Sequence, residues 1–562
     1  MMRDNQTPDT QSQRRLFING ILFFIVVLFV ESGTRALWDP GEGRYGDLSR
    51  YIIDTGDWLV PHLNGAFYFE KPPLGYWLNA IAIKIFGVNA FAVRLTTLLS
   101  AFATAATAWF FARAANSERI ANLTAFILMT CTGFAAYSQI PELDMLLTAL
   151  FCLGMWSFYA GFELRIKPKL LLHLSGVFFS LGCLVKGPVS FVLGGAAIGL
   201  YILITRQWNR WRDLYLPTVA IVCAVVTLPW FIAISLKEKE FFDFFIVREH
   251  IQRFTSKIHS REGAWWYFLP VLIGGMYPWI MAVPAVVREA YDHLRQRLIR
   301  RDVLFCIIWS VVIFGFFSVS SSKRPPYILP IFPPLAYVIA LAFEKAMARG
   351  GQWIKNFGLA YAVANLFLCA LFLVAPQYIK DLGPEAAGAF KLPAYFAGIT
   401  GLLAGFYALR KQARSIVLCV ATCSGCFVLL AFESANKLDG MLSRRDMAQL
   451  IMAEYQEGDA ILSFDASWDR NMQSLSFYTG KRVLVYGNPG ELELGKKMDP
   501  DAAVNFPEYE DALNLLRGQR RVFVVMKKEK LPEIGRMIRL YGAPKLFDGK
   551  MILLSNKPWR NK

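Results

Sequence analysis

The sequence predicts a polytopic α-helical membrane protein that continues into a soluble α/β domain. Of the 562 residues, 55% are hydrophobic and 18% are charged. Long uncharged runs recur up to residue 434, and runs of about 20 residues are long enough for a helix to cross a bilayer. After residue 434, short β-rich runs alternate with helical patterns, which is typical of a small domain with a partly parallel sheet.

Thirteen transmembrane helices are predicted from the apolar runs. They cover residues 17–33, 92–112, 119–138, 143–163, 169–185, 187–205, 214–235, 265–287, 303–320, 327–345, 356–375, 393–409 and 415–433. No small-residue cleavage site follows the first run, so we predict a retained helix and not a signal peptide. Residues 73–88 begin at a Pro pair and contain Lys84, and we predict that they form a helix in the membrane interface.

The basic residues predict the orientation. The net charge is +17, and the arginines and lysines lie in short loops between apolar runs, where they act as orientation signals and not as a nucleic-acid surface. These loops share the cytoplasmic side only if residues 73–88 do not span the membrane. We therefore predict a membrane domain over residues 1–434, whose outer loops 34–91 and 236–264 build the site, and an outer α/β domain over residues 435–562.

Polar residues concentrate in the first outer loop. They are, in chain order, Asp39, Glu42, Arg44, His62, Tyr68, Glu70 and Lys71. Carboxylates suit acid, base or metal chemistry, and cations suit an anionic substrate. Pro40 and Gly41 force a turn that holds the carboxylates of Asp39 and Glu42 near one point, so both are catalytic candidates, with a turn-stabilising role as the alternative.

Further candidates are predicted on the same face. Asp144 lies at a helix start, where a carboxylate is either a cap or a catalyst. Lys186 lies between two spans on the outer side, followed by Gly187 and Pro188, a setting that suits a phosphate. The remaining substrate-binding candidates are Glu249, Arg253, Lys323 and Tyr327. Glu249 and Arg253 are four residues apart, so a surface salt bridge is their alternative role.

A divalent metal is a separate hypothesis. His62, His250 and Glu70 are all predicted on the outer side, and two imidazoles with a carboxylate suit Zn²⁺; Mg²⁺ is the second candidate. All nine cysteines fall inside apolar runs, so neither a thiolate site in the loops nor a disulfide framework is indicated. No nucleotide or organic cofactor is predicted.

Together the candidates predict a reaction between anionic lipids. Cations would hold phosphates and stabilise a phosphate leaving group, while an acid would orient or deprotonate the acceptor. The cations are Arg44, Lys71, Lys186, Arg253 and Lys323.

Several motifs carry a family resemblance. They are WDPGEGRYGDLSR, GDWLVPHLNGAFYFEKPPLGYW, VKGP, FFIVREHIQRF followed by WWYFLPVL, and SSKRPPYILP. Their residues and order resemble the bacterial lipid A aminoarabinose transferases, relatives of the protein O-mannosyltransferases with the type C glycosyltransferase fold. The resemblance covers most of the membrane domain and little of the C-terminal domain.

The resemblance implies a multi-pass enzyme of the bacterial inner membrane with its site and C-terminal domain in the periplasm, and we predict a monomer. It would move 4-amino-4-deoxy-L-arabinose from undecaprenyl phosphate to a lipid A phosphate, with inversion, and give resistance to polymyxin. By resemblance a first-loop acid is catalytic, Lys71, Arg44 and Tyr68 hold the carrier phosphate, and Lys186 and Arg253 line the same cavity. The family pattern places an Asp-Glu pair after the Pro, whereas this sequence has Gly41 before Glu42.

Three alternatives remain open from the sequence. A type C transferase with a protein serine or threonine acceptor, or another glycolipid acceptor, would share these motifs. A transporter or lipid flippase would place ionisable residues nearer the bilayer midplane and show paired halves. A structural anchor would leave the polar outer residues without a role.

Overall fold

The structure is a computed structural model that describes residues 28–245, 263–296, 300–349, 352–379, 387–412, 436–466, 472–543 and 551–560, with six single positions between 415 and 434. Helices dominate up to residue 409. They are α1 (Gly41–Thr55), α2 (Leu74–Phe86), α3 (Ala90–Ala115), α4 (Glu118–Thr130), α5 (Thr132–Tyr137), α6 (Leu143–Phe162), α7 (Pro168–Lys186), α8 (Val189–Ile204), α9 (Leu216–Lys237), α10 (Phe268–Gly275), α11 (Val283–Gln296), α12 (Arg301–Val319), α13 (Phe332–Arg349), α14 (Gln352–Val374) and α15 (Lys391–Leu409).

Apolar helices long enough to cross a membrane number eight in the described ranges, or nine if the bent pair α10 and α11 counts as one span. The helix α6 lies at the centre, because 83% of its apolar window is buried and it packs against α3 and α7. The predicted spans 17–33 and 415–433 lie mostly outside the described residues. The total of thirteen therefore stays a prediction.

Two predicted spans are not straight helices. The span predicted at 119–138 breaks at Cys131, whose backbone is extended, and the one predicted at 265–287 bends by 97° near Pro278, which has no N–H to continue a helix. The two breaks contact each other, since the amide of Thr132 donates to the carbonyl oxygen of Tyr277 at 2.9 Å. Backbone groups that a continuous helix would satisfy are thus satisfied between the breaks.

Two shorter helices flank the outer loops. The predicted interfacial helix at 73–88 is confirmed as a helix, α2, which starts after Pro73 and ends at Gly87 with φ +82°; its depth in a membrane stays a prediction. The span predicted at 187–205 is α8, whose 16 residues are fewer than the roughly 20 that cross a bilayer. Both helices place their N-termini at the end of the bundle that carries the first loop.

The C-terminal region contains the predicted α/β domain. Its helices are α16 (Asp439–Leu442), α17 (Arg445–Glu454), α18 (Gln473–Thr479), α19 (Glu493–Met498), α20 (Pro500–Ala503), α21 (Tyr509–Arg517) and α22 (Leu531–Gly535). The first loop contains the two-residue strands β1 (His62–Leu63) and β2 (Ala66–Phe67), and the domain contains β3 (Ala460–Phe464), β4 (Val483–Tyr486), β5 (Val522–Lys527), β6 (Tyr541–Gly542) and β7 (Met551–Ser555).

The sheet of this domain has the order β4-β3-β5-β7-β6. Strands β4, β3 and β5 are parallel, because helices connect them in the sequence, and β7 and β6 add antiparallel pairings at one edge. The partly parallel sheet predicted from the sequence is confirmed. One face of the sheet packs against the first loop, since Phe523 and Val485 share a buried cluster with Tyr45 and Tyr68.

Candidate active site

A cavity of about 450 Å³ lies where the first loop meets the ends of several helices. The helices α7 and α12 end there, and α6 and α8 begin there. Its polar lining residues are Arg44, Tyr45, Tyr68, Glu70, Lys71, Asp144, Lys186, Ser190, Ser320, Ser322, Arg324 and Tyr327. Its apolar walls are formed by Leu147, Phe151, Val189, Val192, Leu193, Phe316 and Phe317, with three prolines. The cavity therefore combines a cationic end with an apolar lining.

Asp144 and Lys186 form an ion pair at the centre of this lining. The Lys186 ammonium lies 2.6 Å from a carboxylate oxygen of Asp144 and 4.9 Å from the centre of the Tyr327 ring. Asp144 is in the first turn of α6 and Lys186 is the last residue of α7, so each charge also complements a helix dipole. Three residues predicted from separate motifs are thus brought together.

A tight hairpin places Tyr68, Glu70 and Lys71 in the cavity. Asn64 and Gly65 have φ values of +52° and +78°, as a two-residue turn between β1 and β2 requires. The chain then returns beside α1, where the hydroxyl of Tyr68 donates to Glu70 at 3.2 Å. The ammonium of Lys71 donates to the carbonyl oxygen of Glu70 at 2.7 Å, which holds it near the backbone.

Arg44 enters the cavity from α1 and is held by several partners. Its guanidinium lies 2.9 Å from Glu491, donates to Gln473 at 3.3 Å and lies 3.5 Å from the Tyr68 hydroxyl. Burial alone would lower the pKa of Arg44, but Tyr68 and Glu491 outweigh it and raise the pKa well above its ordinary value. Arg44 is therefore a permanent cation of the site.

Arg324 lines the cavity, whereas the predicted Lys323 does not. The Lys323 ammonium donates to the carbonyl oxygen of Ser320, and its side chain is buried. Arg324 forms an ion pair with Glu142 at 2.6 Å. Burial opposes the charge of Arg324, but Glu142 and Asp144 raise its pKa above the ordinary value. Of the two neighbouring cations, Arg324 is the one whose side chain lines the cavity.

Glu42 lies in a buried ion network behind the cavity. One oxygen accepts from Arg94 at 2.6 Å and from the Trp38 amide at 2.8 Å, and Arg35 donates to both oxygens. Burial alone would raise the pKa of Glu42, but Arg94 and Arg35 outweigh it and hold the pKa below its ordinary value. Glu42 does not line the cavity, and its contacts favour a structural role.

Asp39 joins the first loop to the C-terminal domain. Its two oxygens accept from the amide and the hydroxyl of Ser474 at 2.6 and 2.7 Å. Asp47 makes a parallel contact, accepting from Ser476 at 2.6 Å and from the Asn64 amide at 2.8 Å. Asp39 also does not line the cavity. Of the three predicted catalytic acids, Asp144 alone is in the cavity lining, where Glu70 is the second carboxylate.

The docking carboxylates predict a pH dependence of stability. Burial raises the pKa of Asp39 and of Asp47 from 3.8 to about 6, although hydrogen bonds from Ser474 and Ser476 act in the opposite direction. The folded protein holds both protons to a higher pH than the unfolded chain does. The two protonated carboxyl groups therefore contribute favourably to the free energy of unfolding. This contribution is fully present below pH 3.8 and is lost as the pH rises to about 6.

The test compares the unfolding temperature of an Asp39→Asn/Asp47→Asn double variant with that of the wild type. We expect the difference, variant minus wild type, to increase between about pH 4 and about pH 6 and to stay constant at higher pH. Thermal unfolding in detergent across this range measures the difference. Asp54→Asn, which alters an exposed ion pair on the same helix, is the control and should give a flat difference. A flat difference in the double variant would contradict the assigned shifts.

The metal hypothesis involves His62, His250 and Glu70, and it stays a prediction. His62 is stacked on Tyr51 with ring centres 4.5 Å apart, and its Nδ1 lies 2.9 Å from the Val60 carbonyl oxygen. Burial lowers the pKa of His62 from its ordinary value. Within the described ranges no group of three His, Cys, Asp or Glu side chains could hold a metal ion. His250, Glu249 and Arg253 lie outside the described residues.

Some site residues were not predicted. Arg324 is adjacent to the predicted Lys323, and Glu142 precedes the predicted Asp144 by two residues. Their charges and their positions beside predicted candidates could therefore have identified both residues from the sequence. Gln473 and Glu491 offered none, because they lie in the C-terminal domain more than 400 residues from Arg44. Contacts of that kind depend on tertiary docking and not on a local pattern.

The chain is similar to known transferases along most of its length. The family described as Dolichyl-phosphate-mannose-protein mannosyltransferase matches residues 15–245. A Yersinia pestis (strain Pestoides F) protein named undecaprenyl phosphate-alpha-4-amino-4-deoxy-L-arabinose arabinosyl transferase is 30% identical over 495 residues, covering 83% of this chain and 86% of that protein. A protein of the same name from Enterobacter sp. (strain 638) is 28% identical over 520 residues, covering 89% and 91%.

Solved structures agree with this family. The crystal structure of ArnT from Cupriavidus metallidurans bound to undecaprenyl phosphate matches with a TM-score of 0.83 and 25% identity, covering 96% of this chain and 98% of that chain. Its apo state matches with a TM-score of 0.82 and 24% identity, covering 98% of both chains. The predicted fold class, a type C glycosyltransferase with a C-terminal α/β domain, is thereby confirmed. The chain belongs to the family of undecaprenyl phosphate-4-amino-4-deoxy-L-arabinose arabinosyl transferases.

Proposed function

We propose that this protein transfers 4-amino-4-deoxy-L-arabinose from undecaprenyl phosphate to a phosphate of lipid A. The single observation that carries the proposal is the cavity, which has cations at one end and apolar walls beside them. A polyprenyl phosphate sugar has the same division into an anionic head and an apolar chain. Relatives over more than four fifths of the chain carry the name of this activity.

The cations of the cavity suit a phosphate leaving group. The ammonium groups of Lys71 and Lys186 and the guanidinium of Arg44 all line the same space. Fixed cations aimed at developing negative charge stabilise a transition state strongly when water is largely excluded. The site therefore lowers the cost of releasing undecaprenyl phosphate from the sugar.

The proposed step is a direct displacement. An oxygen of the lipid A phosphate forms a bond to the anomeric carbon while the bond from that carbon to the carrier phosphate oxygen breaks on the opposite face. The electron pair leaves with undecaprenyl phosphate, and the sugar inverts. The attacking phosphate is already ionised at neutral pH, so the step transfers no proton and requires no general base.

The two carboxylates of the cavity orient the sugar and balance its positive charge. Glu70 and Asp144 both line the cavity, and an acid beside the sugar balances the ammonium group of aminoarabinose. Asp144 also holds Lys186 in place through the 2.6 Å contact. The displacement relies on these cavity side chains, and the described residues provide no group of three ligands for a metal ion.

The location follows from the same proposal. We infer a multi-pass protein of the bacterial inner membrane with the cavity and the C-terminal domain in the periplasm, and a monomer. The support is that loops assigned to the outer side from charge alone converge on one end of the helix bundle. Cysteine labelling of Lys71→Cys and Arg212→Cys variants in intact cells tests the sides, and labelling of both from the periplasm would contradict the assignment.

Reconstitution tests the proposed function. The purified protein in vesicles is supplied with undecaprenyl phosphate-aminoarabinose and lipid A, and the product is identified by mass spectrometry. Lipid A heavier by one aminoarabinose residue is the expected product. Sugar on a protein serine or threonine instead would favour the mannosyltransferase-like alternative, and movement of donor lipid across the bilayer without transfer would favour a flippase.

Asp144→Asn is expected to lower the transfer rate about tenfold, because one charge-assisted hydrogen bond to Lys186 is lost. The initial rate in the reconstituted assay measures this. Asp213→Asn is the matched control, since Asp213 pairs with Arg165 at the opposite end of α7. Full transfer by each of the Asp39→Asn, Glu42→Gln and Asp144→Asn variants would end the idea that any of these acids serves the reaction.

A further inference from the structure

The C-terminal domain reaches the cavity through Arg44. This arginine belongs to the membrane domain, yet two of its partners, Gln473 and Glu491, come from separate segments of the C-terminal domain. Gln473 is the first residue of α18, and Glu491 lies in the turn of 3₁₀-helix after β4. None of the candidate site residues predicted from the sequence lies in this domain.

The contact is buried and charged. The side chains of Arg44 and Glu491 are 10% and 15% exposed, and their charged atoms lie 2.9 Å apart. Gln473 is fully buried. An ion pair in such a setting fixes the guanidinium far more firmly than an exposed pair does, because water competes little for either charge. Removal of the acid would leave a buried cation without its partner.

The geometry leaves part of the guanidinium for a ligand. Arginine has five N–H donors, and within the described residues three directions are occupied: Nη2 by Glu491, Nε by Gln473 and Nη1 by Tyr68. The side chain nevertheless lines the cavity. The partners therefore orient the planar group while N–H donors remain for a phosphate oxygen, which guanidinium binds in a fixed geometry.

Several close contacts join the two domains around Arg44. A Cβ on Gly43 would lie 2.5 Å from the Ser474 amide nitrogen, so α1 and α18 approach as closely as backbones can. Asp39 fixes Ser474, and Asp47 fixes Ser476. Asn64 bonds to both the amide and the carbonyl of Val483. Each contact limits motion of the domain relative to Arg44.

We propose that Glu491 and Gln473 are positioning residues that hold Arg44 in the orientation that binds the phosphate of the lipid carrier. The C-terminal domain is then a component of the donor site and not a cover over it. This inference rests on the proposed function for its effect on transfer, but its effect on binding of undecaprenyl phosphate alone is independent of any acceptor.

Binding and transfer are therefore measured separately on the full-length protein in detergent or vesicles. Glu491→Gln is expected to weaken binding of undecaprenyl phosphate about tenfold and to lower transfer in parallel. Glu493→Gln is the matched control, because Glu493 lies two residues away and pairs with Lys497 at the surface. The control should stay within about twofold of the wild type, as exposed pairs contribute little.

A double-mutant cycle separates positioning from a general loss of structure. In an Arg44→Ala background, Glu491→Gln is expected to cause no further loss of binding, since the group that it positions is gone. Gln473→Ala gives a second cycle with the same expectation if Glu491→Gln does not fold. Two results would overturn the proposal. One is binding of undecaprenyl phosphate by Glu491→Gln as tight as that of the wild type, and the other is that Glu491→Gln weakens binding as much in the Arg44→Ala background as it does alone. Wild-type protein that binds the carrier but transfers no sugar would instead contradict the proposed function.

Discussion

Replacement of Lys71 by Met is expected to lower the rate of sugar transfer by about 10²- to 10³-fold, the loss that follows removal of one group that stabilises transition-state charge. Lys71 lines the cavity, and its ammonium is held at 2.7 Å by the Glu70 carbonyl oxygen. The cation is therefore already in place when the carrier phosphate leaves. Initial rates at saturating donor measure the effect on the chemical step.

The control for this prediction is Lys84→Met. Lys84 lies in the last turn of α2 with an exposed side chain, so the substitution removes the same charge from a nearby surface. Its rate should match that of the wild type. Lys71→Arg should recover part of the loss, because the charge returns with a different shape. A Lys71→Met rate within about threefold of the wild type would be incompatible with a role at the leaving group.

Replacement of Glu42 by Gln is expected to destabilise the folded protein by about 3–5 kcal/mol, as breaking a buried ion pair by removing one partner does. The side chains of Glu42 and Arg94 are 4% and 1% exposed, and Arg35 is buried beside them. A neutral amide would remove the carboxylate charge that the two buried guanidinium groups share. The unfolding temperature and the yield of folded protein should both fall.

This result would distinguish the structural from the catalytic role of Glu42. If the role is structural, the folded fraction of Glu42→Gln that survives purification retains a transfer rate per molecule close to that of the wild type. Asp54→Asn on the same helix is the control, because its ion pair with Arg50 is half-exposed and should contribute less than about 1 kcal/mol. Normal stability with abolished transfer would instead restore Glu42 as a catalytic acid.

Much of the architecture follows from local patterns. The β-rich runs predicted after residue 434 include β3, β4 and β5, because each of these strands is a short apolar run between turn residues. The strand β6 was not predicted, since its two residues, Tyr541 and Gly542, carry no pattern of their own. The breaks at Cys131 and before Trp279 escaped prediction for a related reason. Apolar composition persists through them, and tertiary contacts determine where the helices stop.

The candidate site was predictable in its membrane part and not in its C-terminal part. Lys71, Lys186 and Asp144 lie in separate motifs, yet the charge pattern placed them on one side, and the cavity joins them. Which carboxylate faces the cavity was not predictable. Asp39 and Glu42 lie within five residues of Arg44, and no local pattern separates their roles from its role. Only the tertiary partners, Ser474 for Asp39 and Arg94 for Glu42, show that both carboxylates bind the protein and do not line the cavity.

The separation of 429 positions between Arg44 and Gln473 has a consequence for biosynthesis. Chains are completed from the N-terminus, and domains fold as they emerge, so α1 is synthesised long before the strands and helices that will cover its polar face. During that interval the membrane bundle can be inserted while the donor pocket is unfinished. A premature stop after the last hydrophobic segment would then yield an inserted but inert protein, and a separately exported C-terminal fragment could restore it.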